Sequence, residues 1–188
     1  MTSRIASAAI VAALALSPHA AAQAPKPRAA MTLTAMDYIE IEQLIAKYSR
    51  ALDTCTNNGY DYADLYTSDG VFAPTINGKP GARFEGRERL AEASGGGKLG
   101  CKDVGWIKQG IRHLYPNHVI TPTPTGAVGV VDMLMIGLGG DPNKIQYDGY
   151  YEDVYAKTPQ GWRFKQRTHH AELDAGKRPE PPASGGKR

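Results

Sequence analysis

The β-rich part of the chain begins at residue 126 and reads GAVGVVDMLMIGLGGDPNKIQYDGYYEDVYAKTPQGWRFKQRTHHAE through residue 172. It holds three long runs of β-forming residues, over 126–137, 145–157 and 161–172. Segments of Gly, Pro, Asn and Asp, which favour turns, separate these runs. The pattern predicts three long antiparallel strands joined by short connections.

The preceding part of the chain combines helical patterns with a fourth β-type run, over 110–121. Apolar residues recur at helical spacing over 36–52, and Thr34 can cap a helix that begins there. Shorter elements follow it, with helices predicted over 61–66 and 87–93 and a strand over 70–73. Because the helical patterns precede most of the β-type runs, the sequence predicts an α+β domain. In it, about three N-terminal helices cover one face of a curved antiparallel sheet.

Composition and charge are those of one globular domain with basic ends. The chain has 188 residues, of which 41% are apolar and 22% charged, with only two Cys. These values exclude a collagen, a disulfide-dense miniprotein and a disordered chain. Seven of the 22 Lys and Arg lie before residue 31 or after residue 175, so that segment 31–175 has a net charge of −3. Such a core has no basic surface for nucleic acid, and no nucleic-acid partner is expected.

The first 22 residues have the features of a secretory signal peptide. Arg4 precedes an apolar run over 5–16, and Ala20-Ala21-Ala22 fits the small-residue cleavage rule. An apolar N-terminal helix of the domain is the alternative. The run is too short to span a bilayer, so no membrane insertion is expected after cleavage. The expected protein is periplasmic or secreted. Its predicted divisions are a signal peptide at 1–22, a linker at 23–33, one domain at 34–175 and a disordered tail at 176–188.

Cys55 and Cys101 are the two cysteines of the chain. An oxidising compartment would permit a disulfide that closes a loop of about 46 residues, which stabilises a fold by roughly 3–4 kcal/mol in the chain-entropy model. Two buried thiols are equally compatible with the sequence, because the sequence does not give the separation of the Cβ atoms.

Six fragments, in this order, resemble the SnoaL-like branch of the nuclear-transport-factor-2-like cone-fold superfamily over roughly residues 34–172. They are IEQLIAKYSRALD (41–53), LYTSDGVF (65–72), FEGR (84–87), RHL with Asn117 (112–117), GYYED (149–153) and GWRF with Arg167 (161–167). The resemblance implies a cone-shaped curved sheet. Dehydratases, isomerases, cyclases, lyases and non-catalytic binding proteins all use this fold, so that the fold alone does not give the function.

Asp53 and His113 occupy the positions of a catalytic pair in this resemblance. In the family's dehydratases and dehydrohalogenases, an Asp at the end of the first helix orients a His that removes a substrate proton. Imidazole titrates near neutral pH, and a carboxylate on one ring nitrogen fixes its tautomer, so that the pair needs no metal or cofactor. The structural alternative is a helix-end Asp and a core His.

Two further residues are implied as catalytic by the same resemblance. Tyr48 and Arg167 match positions that hydrogen-bond a leaving group or an oxyanion. Tyr48 also fits the apolar stripe of the first helix, and Arg167 is equally compatible with a solvated surface position.

Four residues are candidates for substrate binding, namely Asp132, Asn117, Tyr115 and Tyr151. Asp132 interrupts an apolar run, and a carboxylate on such a face requires a partner. His113, Arg167 and His118 are the partners considered, and a comparable Asp occurs in the bile-acid dehydratases of the family.

The sequence has no motif for a metal or a nucleotide. His169 and His170 are adjacent, so in a strand they point to opposite faces and do not converge on a metal. Gly95-Gly96-Gly97 lacks the Lys-Ser/Thr of a phosphate loop. No metal and no cofactor are therefore expected.

Ten Tyr against three Phe favour a cavity for a polar aromatic molecule, although tyrosines also fill sheets and dimer faces. The sequence of segment 53–66 is similar to a segment of those family members that release formaldehyde from lignin-derived diaryl dimers. The expected function is a cofactor-independent lyase that eliminates formaldehyde or water from a phenolic or polycyclic molecule. The alternatives are a non-catalytic binding module and a ketosteroid-isomerase-like isomerase with Asp132 as base. A homodimer is common in this fold and is plausible here.

Overall fold

A computed structural model describes residues 29–171. Its helices are α1 (Ala35–Thr54), α2 (Tyr60–Ala63), α3 (Arg87–Ala93) and α4 (Gly105–Lys108), with 3-10 turns at Thr56–Gly59, Gly97–Leu99 and Leu138–Gly140. Within 29–171, no helix is both long and apolar enough to cross a membrane. The predicted signal peptide at 1–22, most of the linker and the tail from residue 176 lie outside the described residues.

Within residues 29–171, nine strands form one curved, unclosed sheet. They are β1 (Tyr66–Phe72), β2 (Thr75–Ile76), β3 (Lys79–Pro80), β4 (Phe84–Glu85), β5 (Arg112–Leu114), β6 (Val119–Thr123), β7 (Gly126–Ile136), β8 (Ile145–Thr158) and β9 (Gly161–Ala171). The central order is β3-β2-β9-β8-β7-β5, with β1 also beside β9, β4 beside β1 and β6 beside β7.

The long strands β7, β8 and β9 are antiparallel neighbours, as predicted. The sheet is nevertheless mixed, because β1 and β2 run parallel to β9. The prediction of a wholly antiparallel sheet is wrong in this respect. Strands that follow each other through a hairpin must be antiparallel, but β1 and β2 join β9 across most of the domain, where either direction is possible.

Helix α1 begins with a capping box. The Thr34 backbone N–H donates to Asp37 Oδ2 at 2.8 Å, and the Asp37 N–H donates to Thr34 Oγ1 at 3.2 Å. The helix ends at Cys55, which adopts a left-handed conformation with φ 48°. Its buried side chains form one stripe that packs on the sheet: Asp37, Ile41, Leu44, Ile45, Tyr48, Ala51, Leu52 and Asp53. The stripe extends to the last turn, so Asp53 is inside the domain.

Several boundaries differ from the prediction for identifiable reasons. The run over 110–121 is two strands, because Pro116 has no N–H to donate and Asn117 takes φ 59°, which together interrupt the ladder. The helix predicted over 61–66 ends at Ala63. The short helix α4 was not predicted, since it is a single turn held by a tertiary contact, in which Trp106 Nε1 donates to the Leu52 carbonyl at 3.1 Å.

Cys55 and Cys101 form a disulfide, with their Cα atoms 6.1 Å apart. Of the two possibilities that the sequence leaves open, the structure has the bridge. It joins the end of α1 to the segment that leads into α4.

We expect Cys101→Ser to lower the free energy of unfolding by about 3 kcal/mol, because the unfolded chain regains the freedom of the loop closed by the bridge. Urea unfolding of the variant and of the wild type, each with and without reductant, measures this loss. The reduced wild type should match the variant, and the variant should not respond to reductant. Equal unfolding midpoints for the oxidised and the reduced wild type would contradict the prediction.

Candidate functional site

A cavity of about 250 Å³ lies between α1 and the concave face of the sheet. Aromatic and imidazole rings dominate its wall, which consists of Tyr48, Tyr62, Phe72, Trp106, His113, Tyr151 and His169 together with Leu52, Pro74, Ala93 and Met133. A larger groove of about 480 Å³ on the outside of α1 is lined by no histidine. The smaller, ring-lined cavity is therefore the candidate site, since it combines apolar walls with a few polar groups.

Asp53 and His113 meet at the wall of this cavity. Asp53 is in the last turn of α1, and His113 is the inward-facing residue of β5. His113 Nδ1 lies 2.5 Å from Asp53 Oδ1, and the His113 backbone N–H donates to Asp53 Oδ2 at 3.2 Å. Ser49 Oγ donates to the His113 carbonyl at 2.6 Å, which fixes β5 against the helix.

The two side chains are only 5–6% exposed. Because Asp53 holds Nδ1, Nε2 is the ring nitrogen of His113 that remains for a bound molecule. Such an arrangement can accept a proton at Nε2 and stabilise the resulting imidazolium through the carboxylate.

Tyr48 also lies on the cavity wall, and it begins a chain of three buried phenols. Its hydroxyl lies 3.2 Å from the hydroxyl of Tyr62, which lies 3.1 Å from that of Tyr66. Burial raises the pKa of Tyr62 and of Tyr66 well above the ordinary tyrosine value. These two phenols thus stay protonated and can support Tyr48 as a hydrogen-bond donor toward the cavity.

Arg167 is completely buried, so the solvated position considered for it is wrong. Its guanidinium carbon lies 3.9 Å from the ring centroid of Tyr48 and 4.0 Å from that of Tyr151, and Nε lies 3.2 Å from Asp153 Oδ1. Arg167 is absent from the cavity wall, which its tyrosine neighbours form. It is a fixed positive charge behind those rings rather than a group at the cavity surface.

Asp132 and Asn117 lie together on the other face of the sheet. In β7 the buried residues Val131 and Met133 point inward, so Asp132, between them, points outward. Asn117 Nδ2 donates to Asp132 Oδ2 at 2.9 Å. The partners predicted for Asp132 are therefore wrong, because strand alternation directs this carboxylate away from the cavity.

Tyr151 lies on the cavity wall and Tyr115 lies behind it. Their ring centroids are 5.5 Å apart in an edge-to-face arrangement, and the Tyr115 ring is 5.6 Å from that of Tyr48. Tyr115 is thus placed to support the wall rather than to form it.

His169 is a polar residue of the cavity wall that the sequence pattern did not mark as a site residue. As expected for neighbours in a strand, His169 stacks on Tyr151 inside the cone, and His170 stacks on Tyr150 on the other face, each pair at 4.6 Å. Burial, followed by the charge of Arg167, lowers the pKa of His169 to about 4. Side chains alternate between the two faces of a strand, so the adjacency of His169 and His170 also predicts that one of the two imidazoles faces inward.

Among residues 29–171, no group of three or more His, Cys, Asp or Glu side chains could hold a metal ion. The Trp106 indole N–H of the cavity wall donates to the Leu52 carbonyl, and the other polar side-chain groups of the wall are two imidazoles and the tyrosine hydroxyls. These groups can exchange protons and hydrogen bonds with a bound molecule.

The family model described as a SnoaL-like domain matches residues 34–168. Comparison with curated proteins finds no match. Solved structures do match. An NTF2-like protein with a cystatin-like fold from Novosphingobium aromaticivorans is 22% identical, with a TM-score of 0.56 over 75% of this chain and 84% of that chain.

Two other solved structures are also similar to this chain. A candidate scytalone dehydratase from Novosphingobium aromaticivorans is 22% identical, with a TM-score of 0.56 over 81% of this chain and 96% of that chain. A protein from Catenulispora acidiphila in complex with S-DNPA is 20% identical, with a TM-score of 0.51 over 73% and 95%. At these identities the likeness establishes the α+β cone fold.

Proposed function

The chain belongs to the SnoaL-like domain family, and on that basis we propose that it is a lyase that eliminates a small group from an aromatic molecule by acid–base chemistry. The observation that carries the proposal is the buried Asp53–His113 pair on the wall of a ring-lined cavity. A carboxylate–imidazole pair with one free ring nitrogen is a competent base, and the surrounding apolar walls exclude water from it.

His113 Nε2 takes a proton from the carbon next to an electron-withdrawing group of the substrate. The electron pair of that C–H bond forms the new double bond, and the bond to the leaving oxygen breaks. The imidazolium then gives its proton to the departing hydroxyl group, so that water leaves and His113 is neutral again. Asp53 keeps the other ring proton on Nδ1 throughout the cycle.

Negative charge develops on the substrate oxygen while the proton is removed. The Tyr48 hydroxyl, supported by Tyr62, donates a hydrogen bond to that oxygen. Arg167 contributes from behind the rings of Tyr48 and Tyr151, since a fixed positive charge acts more strongly in a low-dielectric interior than in water. Its role is thus electrostatic, whereas the family resemblance implies a direct hydrogen bond.

The size of the cavity limits the substrate. Pockets that enclose drug-sized molecules measure roughly 300–1,000 Å³, and this cavity is somewhat smaller at about 250 Å³. A single phenolic ring with a short β-hydroxy carbonyl side chain suits it best. A lignin-derived diaryl dimer would extend out of the cavity, and its loss of formaldehyde would use the same base and the same oxyanion donor.

The Cys55–Cys101 bridge supports the expected export of the protein. Disulfides persist in the periplasm and outside the cell and are rare in the cytosol of mesophiles. We infer a periplasmic or secreted enzyme.

Incubation with phenolic β-hydroxy ketones and with phenolic diaryl dimers, read by mass spectrometry, tests the proposal. We expect loss of water from the ketones. Loss of formaldehyde from the dimers would assign the second elimination instead. An unchanged mass with a shifted absorption spectrum would indicate an isomerase, and ligand-induced thermal stabilisation without turnover would indicate a binding module. Either of these two results would overturn the proposal.

The variant Asp132→Ala is the matched control for this assay. An isomerase that uses Asp132 as its base would lose activity in this variant. Because Asp132 lies on the face away from the cavity, the lyase proposed here should keep its turnover.

A further inference from the structure

A second carboxylate–imidazole pair lies at the cavity, and the elimination described above does not use it. His169, on β9, is part of the cavity wall. Its Nε2 lies 3.4 Å from Oδ2 of Asp148, on β8, and both side chains are 12% exposed. Two strands therefore each contribute one polar group to the same nearly buried position.

Asp148 reaches this position through a β-bulge. In the ladder between β7 and β8, Met133 pairs with Gly149 and Leu134 pairs with Tyr147, so that Asp148 is an extra residue between two paired ones. Gly149 adopts φ +123°, and a Cβ there would lie 1.9 Å from the carbonyl oxygen of His170, which only glycine avoids. A bulge redirects the side chain of the extra residue, and here it brings Asp148 beside His169.

The imidazole of His169 is held in place, yet its Nε2 lacks a hydrogen bond. The ring stacks on Tyr151 with centroids 4.6 Å apart and an angle of 15° between the planes. Nε2 is buried and makes no hydrogen bond to any residue of 29–171, since the approach to Asp148 is long and poorly aligned. A buried polar atom of this kind is satisfied when a bound molecule supplies the missing partner.

We propose that Asp148 and His169 bind a hydroxyl group on the aromatic ring of the substrate. The hydroxyl donates its hydrogen to Asp148 Oδ2, and its oxygen accepts a hydrogen bond from His169 Nε2–H. The proposal rests on the proposed function, because it names the substrate feature that the same cavity selects. The ring hydroxyl is held here, while the side chain that reacts lies at His113 and Tyr48.

The electrostatic surroundings agree with these roles. Burial and the positive charge of Arg167 keep His169 neutral near pH 7, with a pKa of about 4. A neutral imidazole carries one N–H, and with that proton on Nε2 the ring can donate to the oxygen of a bound hydroxyl group. Burial raises the pKa of the Asp148 carboxyl, and the nearby His113 opposes that rise.

The test compares the binding of 4-hydroxyacetophenone with that of 4-methylacetophenone, in which a methyl group replaces the hydroxyl. Neither compound carries a leaving group, so calorimetric titration measures binding alone. We expect the wild type to bind the hydroxyl compound about 30-fold more tightly. In His169→Phe the ring still stacks on Tyr151 but has no nitrogen, and the preference should fall below about 3-fold.

His170→Phe is the matched control, because His170 stacks on Tyr150 with the same geometry on the opposite face. This variant should keep the 30-fold preference. Asp148→Asn, which retains the size of the side chain, should lose most of it and provides a second test if His169→Phe does not fold. Equal affinities of the wild type for the two compounds would overturn the proposal, as would an undiminished preference in His169→Phe or Asp148→Asn.

The outcome is separable from that of the proposed elimination. If the protein prefers the hydroxyl compound but turns over none of the β-hydroxy ketones, the proposed binding site stands and the proposed lyase activity is wrong. If the protein turns over the β-hydroxy ketones but shows no preference for the hydroxyl compound, the proposed lyase activity stands and the proposed binding site is wrong.

Discussion

His113→Ala is expected to lower kcat for the elimination by about 10²–10⁴-fold, because the variant loses the carboxylate-paired imidazole that takes the substrate proton. The other imidazole of the wall, His169, is a weak base, since burial and the charge of Arg167 lower its pKa to about 4. KM should change little, since the aromatic walls that hold the substrate remain. Steady-state kinetics with the compound identified by the mass assay provide the measurement. Circular dichroism and thermal unfolding verify that the variant is folded, and Asp53 keeps the backbone N–H of residue 113 as a hydrogen-bond donor.

Asp53→Asn completes this experiment. The amide no longer fixes the tautomer or stabilises the imidazolium, so we expect a loss of about 10²-fold or more in kcat with the imidazole still present. A purified, folded His113→Ala enzyme with full turnover would show that the base lies elsewhere in the molecule.

Arg167→Met is expected to lower the free energy of unfolding by about 4 kcal/mol, because it leaves the Asp153 carboxylate buried without a counter-charge. The side chains of Arg167 and Asp153 are both completely enclosed and form an ion pair at 3.2 Å, and Tyr155 donates a hydrogen bond to Asp153 Oδ2 at 2.7 Å. Urea unfolding at neutral pH gives the loss. The double variant Arg167→Met/Asp153→Asn should recover at least half of it, since the amide is uncharged and still accepts from Tyr155.

The loss should also depend on pH. Burial raises the pKa of Asp153 to about 6 even in the presence of Arg167, and removal of the guanidinium raises it further. A carboxyl with a raised pKa in the folded state stabilises the fold below its unfolded pKa, and this contribution disappears as the pH rises through the folded value. The Arg167→Met variant should thus be closer to the wild type near pH 5 than near pH 8. A loss below about 1 kcal/mol, or one independent of pH, would contradict the buried ion pair.

The parts of the fold that the sequence predicts are those with long, regular patterns. Helix α1 shows its apolar stripe over five turns, and strands β7, β8 and β9 are separated by clear turn signals. The short helix α4 depends on the bond from Trp106 to Leu52, and the parallel pairing of β1 with β9 depends on contacts across most of the chain. Neither leaves a local pattern in the sequence.

The residues of the candidate site also differ in how far the sequence predicts their positions. Asp53 and His113 were found because both match the positions of a catalytic pair in the family resemblance; the sequence pattern alone was also compatible with a helix-end Asp and a core His. Asp132 was predicted to bind substrate but points away from the cavity, because the sequence does not show which face of β7 the helices cover. Asp148 was missed because a bulge breaks the alternation on which such predictions rely.

Cys55 lies two residues after Asp53 in the chain, and Cys101 lies five residues before Trp106. One covalent link therefore connects the helix end that carries the carboxylate of the base with the segment that leads into α4, where Trp106 forms part of the cavity wall. For recombinant work this makes the expression host part of the experiment. Protein made in a reducing cytosol would lack this link and protein made in an oxidising cytosol would have it, so the ligand affinities of the two preparations should be compared only after the free thiols have been counted.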